Sequence, residues 1–592
     1  MRPDPLEPPD AIASPGEPVG RVLGTTDATP LLFWTAVAPG SYLQLDDVVV
    51  TTRELPDGDS VRIAGVVTAV RARHEGAQFD SDVFAIAGGT LPAQVQEAAE
   101  VTTTRVDPEV YVPPAPGAIV HRAQGGARAE ALHFDRMDRR IPIGSGRDGA
   151  PVVLNADFLD GRAGAHVSIS GVSGVATKTS FATFLLYSVF RSGVLGADGV
   201  NAKALIFNVK GEDLLFLDHP NTKLDESTTA AYARLGLPAG AFPDVRVYAP
   251  PRAGDASGAP DVSSRHAGVD AFYWTLSEFC AERLLPYVFA DADEERAQYT
   301  MVVHSVAAYL SRAAQPADGA VTIDGARVHS YPELVDHIVE RLADDATRGA
   351  WAGSAMGLGT VNAFVRRLIA SKKDLTRLVR GDLATRRPHQ INTAESAQVT
   401  VVDLHNLPDR AQRFAVGVTL KSEFERKERT GTTKPLLFVV LDELNKYAPR
   451  EGSSPIKEVL LDISERGRSL GVILIGAQQT ASEVERRIVT NSAIKVVGRL
   501  DPAEATRAEY GFLPPSQRQR ALLARPGTMF VSQPDIPVPL CVEFPFPAWA
   551  TRVSEAGAPP SHTLRSIVQA ADPFAVVGSR SGSRLADDDI PF

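Results

Sequence analysis

The chain has 592 residues, of which 44% are apolar and 22% charged. That composition is typical of a globular protein of several domains, and it excludes a collagen-like, coiled-coil or wholly disordered chain. The 72 acidic residues outnumber the 61 lysines and arginines, and the net charge of −11 argues against a protein that coats nucleic acid through bulk charge.

Cysteine content and the lengths of the apolar runs narrow the class further. The two cysteines, Cys280 and Cys541, cannot build a disulfide framework or a four-ligand zinc site. The amino terminus has no apolar signal core, and no run reaches the roughly 18 apolar residues of a membrane span. We therefore expect a cytoplasmic protein that does not enter a membrane.

The amino-terminal part divides into an arm and a β-rich module. Residues 1–18 carry six prolines among acidic and small residues, a composition that cannot bury enough surface to become ordered. Residues 19–125 contain short β-rich runs broken by Gly, Pro and Asp. This spacing predicts a small antiparallel barrel or sandwich.

Residues 126–550 show apolar strands that alternate with longer amphipathic segments, the signature of an α/β domain with a parallel sheet. Residues 267–390 are predicted to be a largely helical insertion into it, and residues 551–592 a flexible extension. Within the insertion, residues 366–387 hold eight basic residues against two aspartates, which fits either a solvated face or a phosphate-contacting surface. The predicted strands of the sheet are 167–170, 204–208, 245–248, 399–404, 436–441, 472–476 and 494–497.

A strand, a glycine-rich turn and an apolar helix follow one another between residues 165 and 190. A phosphate-binding loop needs small residues whose N–H groups face the phosphate, a helix amino terminus, a lysine for the β- and γ-phosphates and a hydroxyl for Mg²⁺. Lys178 and Thr179 supply the last two. The residues predicted to hold the nucleotide are Gly171, Ser173, Gly174, Val175, Ala176, Thr177, Lys178, Thr179 and Ser180.

This turn departs from the usual G-x-x-x-x-G-K-[ST] pattern. Thr177 stands where a glycine is expected before the lysine, and the loop from Gly171 is one residue longer. An ordinary strand–turn–helix connection with an incidental lysine is therefore the alternative interpretation. Other segments have to decide between the two.

A second segment favours the nucleotide site. Residues 434–441 form an apolar strand that ends in Asp442 and Glu443. In P-loop ATPases such a strand lies beside the phosphate loop, where its aspartate orients the Mg²⁺ shell and its glutamate polarises the attacking water. We predict these roles for Asp442 and Glu443, with Thr179 as the second metal-binding residue. The alternative is a strand end with two solvated acids.

Two further residues are predicted to act on the nucleotide. Gln478 follows the strand 472–476 at its carboxyl end, where ligands of α/β sheets bind, and could hydrogen-bond the γ-phosphate or the attacking water. Arg468 precedes that strand and is a candidate arginine finger for a neighbouring subunit, because a guanidinium stabilises the charge of a transferring phosphoryl group. A loop arginine that pairs with nearby acids is the alternative for Arg468.

Taken together, these segments resemble the HerA/FtsK superfamily of hexameric DNA-pumping ATPases, and specifically its HerA-like branch. The resemblance covers about residues 20–549 and rests on the order of the β-rich module, the phosphate loop, the segment 205–212, the strand ending at Asp403, the two acids and the residues 466–499. Asn208 stands where the family often has aspartate. The resemblance implies a RecA-like core, ATP and Mg²⁺ as cofactors, and a homo-hexamer with each nucleotide at a subunit interface.

The resemblance also implies a function. It points to an ATP-driven DNA translocase or helicase that works with a separately encoded nuclease or effector protein, in DNA end processing or in phage defence. A catalytically weak ring that scaffolds an effector enzyme is one alternative, because the phosphate loop is altered. A secretion or conjugation motor is another, and the lack of a predicted membrane segment disfavours it.

The last six residues, DDDIPF at 587–592, are similar to the acidic tip of bacterial single-stranded-DNA-binding proteins. In those proteins the terminal Phe and its carboxylate enter a basic-rimmed apolar pocket on repair enzymes. The similarity implies repair proteins as partners. A merely acidic tail is the alternative.

Overall fold

The amino-terminal module is a closed six-stranded barrel in the computed structural model, which describes residues 16–77, 79–172, 178–265, 267–289, 297–383 and 389–557. Its strands are β1 (Pro18–Val22), β2 (Leu32–Val37), β3 (Val48–Glu54), β4 (Ser60–Glu75), β5 (Gln94–Asp107) and β6 (Ile119–Arg122). They pair in the order β1-β2-β5-β4-β3-β6, and β6 closes on β1. Phe33, Val49, Ile63 and Val101 fill the interior, since alternate side chains of a barrel strand point inward.

Beyond the barrel, β4 and β5 continue as a two-stranded arm. Their pairing extends to Glu75 and Gln94, and the short helix α1 (Asp82–Ala87) lies at the tip of the arm. Phe79 and Phe84 are exposed there.

The second domain is built on one twelve-stranded sheet. Its strands are β7 (Arg140–Ser145), β8 (Pro151–Asn155), β9 (Val167–Ser170), β10 (Lys203–Asn208), β11 (Val245–Ala249), β12 (Val269–Ala271), β18 (Val399–Asp403), β19 (Leu437–Leu441), β20 (Val472–Gln478), β21 (Ile494–Val497), β22 (Thr528–Ser532) and β23 (Leu540–Glu543). Eight run parallel in the order β12-β11-β18-β10-β19-β20-β9-β21, and β22, β23, β7 and β8 continue the sheet antiparallel. The predicted α/β core behind a small β-barrel is confirmed.

Helices cover both faces of this sheet, so its central strands are buried on both sides. Along β10, for example, Ile206 packs into one core and Leu205 into the other, because side chains alternate along a strand. The helices outside the insertion are α2 (Gly125–Ala131), α3 (Lys178–Arg191), α4 (Glu226–Arg234), α10 (Asp409–Thr430), α11 (Leu444–Tyr447), α12 (Pro455–Leu470), α13 (Arg486–Asn491), α14 (Pro502–Ala505) and α15 (Pro515–Leu522).

The predicted helical insertion is mainly helical in its described part. Its helices are α5 (Leu276–Ala281), α6 (Ala297–Ala313), α7 (Tyr331–Ala343), α8 (Asp345–Ala352) and α9 (Leu358–Leu375), with short strands β13 (Trp274–Thr275), β14 (Gln315–Ala317), β15 (Ala320–Ile323), β16 (Ala326–Val328) and β17 (Val379–Arg380). The insertion packs on the core through the same apolar cluster as α10 and α12.

The basic stretch at 366–387 does not form one free surface. Arg377 pairs with Asp261 at 2.6 Å and Arg380 with Asp382 at 2.6 Å, while Lys372 pairs with Asp336. Arg386 and Arg387 lie outside the described residues. Because these basic residues pair with separate acids of the protein, the stretch fits a solvated face better than a phosphate-contacting surface.

The two termini were predicted to be a proline-rich arm and a flexible extension. Residues 1–15 and 558–592, with the DDDIPF tip, lie outside the described residues, whereas residues 551–557 pack on the core through a bridge between Asn221 and Ala556. Across the described ranges, no helix combines the length and the apolar composition needed to cross a bilayer.

Candidate nucleotide-binding site

The predicted phosphate loop and the acidic pair converge on one edge of the sheet. Strand β9 ends at Ser170 and leads toward Lys178, the first residue of α3, while β19 ends at Leu441 just before Asp442. Strand β20 lies between β9 and β19 in the sheet. The carboxyl ends of parallel strands nevertheless face the same crevice.

Lys178 is buried at the start of α3. It is 4% exposed, and its Nζ donates to the carbonyl of Gly171 at 2.8 Å. Burial lowers its pKa to about 8, against the opposing effect of Asp442. A lysine held by a loop carbonyl at a helix amino terminus is free to exchange that bond for a phosphate oxygen. Ser180 follows in the same helix, and Ser173, Gly174, Val175, Ala176 and Thr177 lie outside the described residues.

Thr179 and Asp442 touch across the edge of the sheet. The Thr179 hydroxyl donates to Asp442 Oδ2 at 3.0 Å, and Asp442 Oδ1 accepts the backbone N–H of Glu443 at 2.8 Å. Asp442 is 5% exposed. A hydroxyl and a carboxylate oxygen at this distance are ligand types that suit Mg²⁺, so the residues present fit the predicted metal.

Glu443 lies beside Asp442 but is more open to solvent. Its backbone has φ of +57°, a left-handed conformation that residues other than glycine rarely adopt, and the short helix α11 begins after it. The side chain is 30% exposed. This turn directs the second acid toward the crevice, as expected for a residue that contacts water.

Lys210 also belongs to this site, although the sequence did not single it out as a site residue. Its Nζ lies 2.9 Å from Asp442 Oδ2 and 3.4 Å from Glu443 Oε1. Burial opposes its charge, but the two acids outweigh burial and raise its pKa above the usual value. The available signal was its place two residues beyond the end of β10, at the same edge of the sheet.

Gln478 is the last residue of β20, at the carboxyl end of that strand as predicted, and its contact with a nucleotide stays a prediction. Its side chain is fully buried, and its amide donates to Ser168 Oγ at 2.8 Å and Ser170 Oγ at 3.0 Å. Its backbone carbonyl accepts the N–H of Gly171 at 3.2 Å. In this conformation Gln478 ties β20 to the strand that leads into the phosphate loop.

Arg468 lies at the opposite, amino-terminal edge of the sheet. It is near the end of α12 and donates to the carbonyls of Gly161 at 3.0 Å and Arg162 at 2.7 Å. Its own chain therefore does not bring it to the acids, and a role in a neighbouring subunit stays a prediction.

A second polar group flanks the site one strand further along. Asn208 donates to Asp403 Oδ1 at 3.0 Å and to the carbonyl of Gly211 at 2.8 Å. His405 Nδ1 lies 2.9 Å from both oxygens of Asp403, and burial raises the pKa of that carboxyl. The amide at Asn208 thus serves as a donor to Asp403, which an aspartate could do only when protonated.

No family model and no curated protein matches the chain. Among solved structures it is similar to VirB4 of Thermoanaerobacter pseudethanolicus, with 13% identity over 69% of this chain and 96% of that one and a TM-score of 0.42. Plasmid coupling protein TrwB in complex with ADP and Mg²⁺ has 12% identity, coverages of 72% and 94% and a TM-score of 0.43. The genome packaging NTPase B204 of Sulfolobus turreted icosahedral virus 2 has 12% identity, coverages of 26% and 70% and a TM-score of 0.20.

Proposed function

We propose that the protein is a P-loop ATPase that hydrolyses ATP at the edge formed by β9 and β19. The observation that carries the proposal is the 3.0 Å hydrogen bond between the Thr179 hydroxyl and Asp442, with Lys178 buried next to Thr179. These residues are 263 positions apart in sequence. A lysine, a hydroxyl and a carboxylate that meet at a helix amino terminus are the groups needed to bind a triphosphate with its metal.

Each residue then has a defined task in hydrolysis. Lys178 and the amino terminus of α3 would bind the phosphates, and Thr179 and Asp442 would hold Mg²⁺, which would neutralise phosphate charge. Glu443 accepts the proton of the attacking water. Gln478 ties β20 to β9 beneath the loop, and its proposed contact is with the γ-phosphate or the attacking water.

We further propose that this ATPase is the motor of a homo-hexameric DNA translocase or helicase of HerA type. The resemblance in segment order supports the proposal, as does the exposed Arg468, which a neighbouring subunit would receive at its nucleotide. The motor would work with a separately encoded nuclease or effector, in DNA end processing or phage defence.

Two alternatives follow from the same residues. A ring that only scaffolds an effector would bind nucleotide weakly, because Thr177 replaces the loop glycine. A secretion or conjugation motor would hydrolyse ATP as well. A strand-displacement assay distinguishes it from a translocase that moves along free duplex DNA: a third DNA strand is bound to a linear duplex, and its release by the protein with ATP is measured. Displacement by the isolated protein would favour the translocase.

The test of the proposed function is ATP turnover with and without duplex DNA. We expect DNA to stimulate ATP turnover by the wild type. Lys178→Ala should lower the turnover rate at least about 100-fold because phosphate binding fails. Glu443→Gln should lower the rate about 10²–10⁴-fold while the variant still binds ATP. Lys434→Met, which removes an ion pair with Asp198 remote from the site, is the control. Equal rates in wild type and Lys178→Ala would reject the ATPase.

We also propose, from sequence alone, that the DDDIPF tip recruits repair proteins that bind single-strand-binding-protein tails. Phe592→Ala in the full chain should abolish their recovery in a pull-down. Unchanged recovery would leave only an acidic tail.

A further inference from the structure

Lys210 and Thr179 share a single carboxylate oxygen. Lys210 Nζ lies 2.9 Å and Thr179 Oγ1 3.0 Å from Asp442 Oδ2. The other oxygen, Oδ1, accepts the backbone N–H of Glu443 at 2.8 Å. Oδ2 is therefore the oxygen of Asp442 that faces the site, and the ammonium of Lys210 already contacts it.

Two carboxylates lie side by side at this edge, and their mutual repulsion needs a positive charge nearby. Lys178 donates to the Gly171 carbonyl, so its hydrogen bond goes to the loop rather than to the acids. Lys210 reaches both acids, at 2.9 Å from Asp442 and 3.4 Å from Glu443. In this structure it is the ammonium that contacts the pair.

The loop that carries Lys210 is braced on both sides. Asn208 donates to the carbonyl of Gly211, which has φ of +58°, a conformation suited to glycine. Glu212 accepts the backbone N–H groups of Ser263 at 2.8 Å and Ser264 at 2.7 Å. A loop held this way sets the position of Lys210, in contrast to a flexible surface ion pair.

We propose that Lys210 stands in for the metal when the site holds no nucleotide, and that Mg²⁺-nucleotide binding displaces it from Asp442 Oδ2. The inference rests on the proposed function. Oδ2 also accepts the Thr179 hydroxyl, so Mg²⁺ or its water shell, held by these two residues, would take the side of the carboxylate that Lys210 now contacts. Lys210 is thus a positioning residue that keeps the acids neutralised and apart between cycles.

The test uses Lys210→Met, which keeps the length of the side chain and removes its charge. Binding of ADP is measured by calorimetry with EDTA and with Mg²⁺. With EDTA the variant should bind ADP more weakly, because the bare acids repel phosphate, whereas with Mg²⁺ it should bind at least as tightly as wild type. The Mg²⁺ enhancement of affinity should therefore grow by at least about tenfold, given close unscreened charges.

Other roles for Lys210 give different results. A purely structural ion pair would weaken both affinities equally, and a phosphate ligand would weaken binding with Mg²⁺; either result overturns the proposal. Lys434→Met is the matched control, since its ion pair with Asp198 is 3.0 Å long and its side chain is 38% exposed against 42% for Lys210.

A thermal measurement separates this proposal from the proposed function. Without nucleotide, Lys210→Met should melt below wild type in EDTA, and Mg²⁺ alone should raise its melting temperature more than that of wild type. That result supports the stand-in role even if neither protein binds ADP, in which case the proposed function fails by itself. An equal Mg²⁺ shift in both proteins overturns the role of Lys210.

Discussion

The two edges of the parallel sheet place their cations in different surroundings. At the carboxyl edge Lys210 contacts Asp442 and Glu443, and Lys178 lies beside them. At the amino edge Lys203, Lys427 and Arg468 donate to backbone carbonyls. The carbonyl bonds of these three amino-edge cations join segments of the fold, whereas the partners of Lys210 and Lys178 at the carboxyl edge lie at a crevice where a ligand can replace them.

The contacts of these cations indicate that the nucleotide site lies at the carboxyl edge, independently of the sequence motifs. Lys427 donates to the carbonyls of Thr432 at 3.1 Å and Pro435 at 2.8 Å, and it is 1% exposed. Both acceptors are backbone carbonyls of the loop between α10 and β19. At the carboxyl edge Asp442 Oδ2 contacts a hydroxyl and the Lys210 ammonium group, Lys210 also reaches Glu443, and Lys178 bonds to the neighbouring loop, so charge there can be rearranged when a ligand arrives.

The largest expected effect tests whether one amino-edge cation has a second role. Arg468→Ala should lower ATP turnover by about 10³-fold if Arg468 acts on the nucleotide of a neighbouring subunit. It should change stability little, because the side chain is exposed. Turnover of the variant alone, with Arg466→Ala as control, measures this.

Mixing subunits sharpens the same test. Arg468→Ala keeps an intact Lys178, and Lys178→Ala keeps an intact Arg468, so a mixed ring contains some complete interfaces. Activity of the mixture above both parents is expected. If Arg468→Ala turns over ATP at the wild-type rate, Arg468 has only a structural role, and the cations compared at the amino edge serve the fold alone.

A second prediction concerns Lys427, whose bonds we assign to the fold alone. Lys427→Met removes two hydrogen bonds that a buried ammonium group donates to part-buried loop carbonyls, and it should cost about 1–3 kcal/mol of unfolding free energy. Nucleotide affinity should not change. Urea denaturation together with ADP calorimetry checks both, with Lys421→Met on the same helix as control, and a loss of ADP affinity would contradict the division between the edges.

The smallest expected effect is a pH dependence at the amino edge. His166 accepts the N–H of Leu474 through Nδ1 at 2.9 Å, and burial lowers its pKa from 6.5 to about 4. Between these values the unfolded chain binds the extra proton, so this contribution to stability is present above pH 6.5 and is lost as the pH falls toward 4.

His166→Asn isolates that contribution. The backbone at His166 has φ of +68°, which asparagine tolerates, and its side-chain oxygen can accept the same N–H. Between pH 7 and pH 4.5 the free energy of unfolding of the variant should fall by about 1–2 kcal/mol less than that of the wild type. Denaturation at the two pH values, with exposed His304→Asn as control, measures the difference; equal losses would contradict the assignment.

Much of the sheet was predictable because parallel strands buried on both faces are continuous apolar runs. The strands at 167–170 and 494–497 have the predicted bounds. The antiparallel strands β7, β8, β22 and β23 were not predicted, since their pairing depends on distant segments of the chain.

The site was predictable only as far as topology determines it. The meeting of Thr179 with Asp442 follows from the rule that carboxyl ends share one edge. Gln478 lies at the predicted carboxyl end of its strand, but its bonds to Ser168 and Ser170 depend on the pairing of β20 with β9 and could not be read from the sequence. The contact of Lys210 with the acids depends on hydrogen bonds of its loop, which no local pattern reports.

The most direct measurement of the central claim is calorimetric titration of the full chain with Mg²⁺-ADP, in wild type and in Lys178→Ala. If Lys178, Thr179 and Asp442 form one nucleotide site, wild type should bind one ADP per chain and Lys178→Ala should bind none in the same concentration range. Undiminished binding by Lys178→Ala, or no binding by wild type, would contradict the site described here.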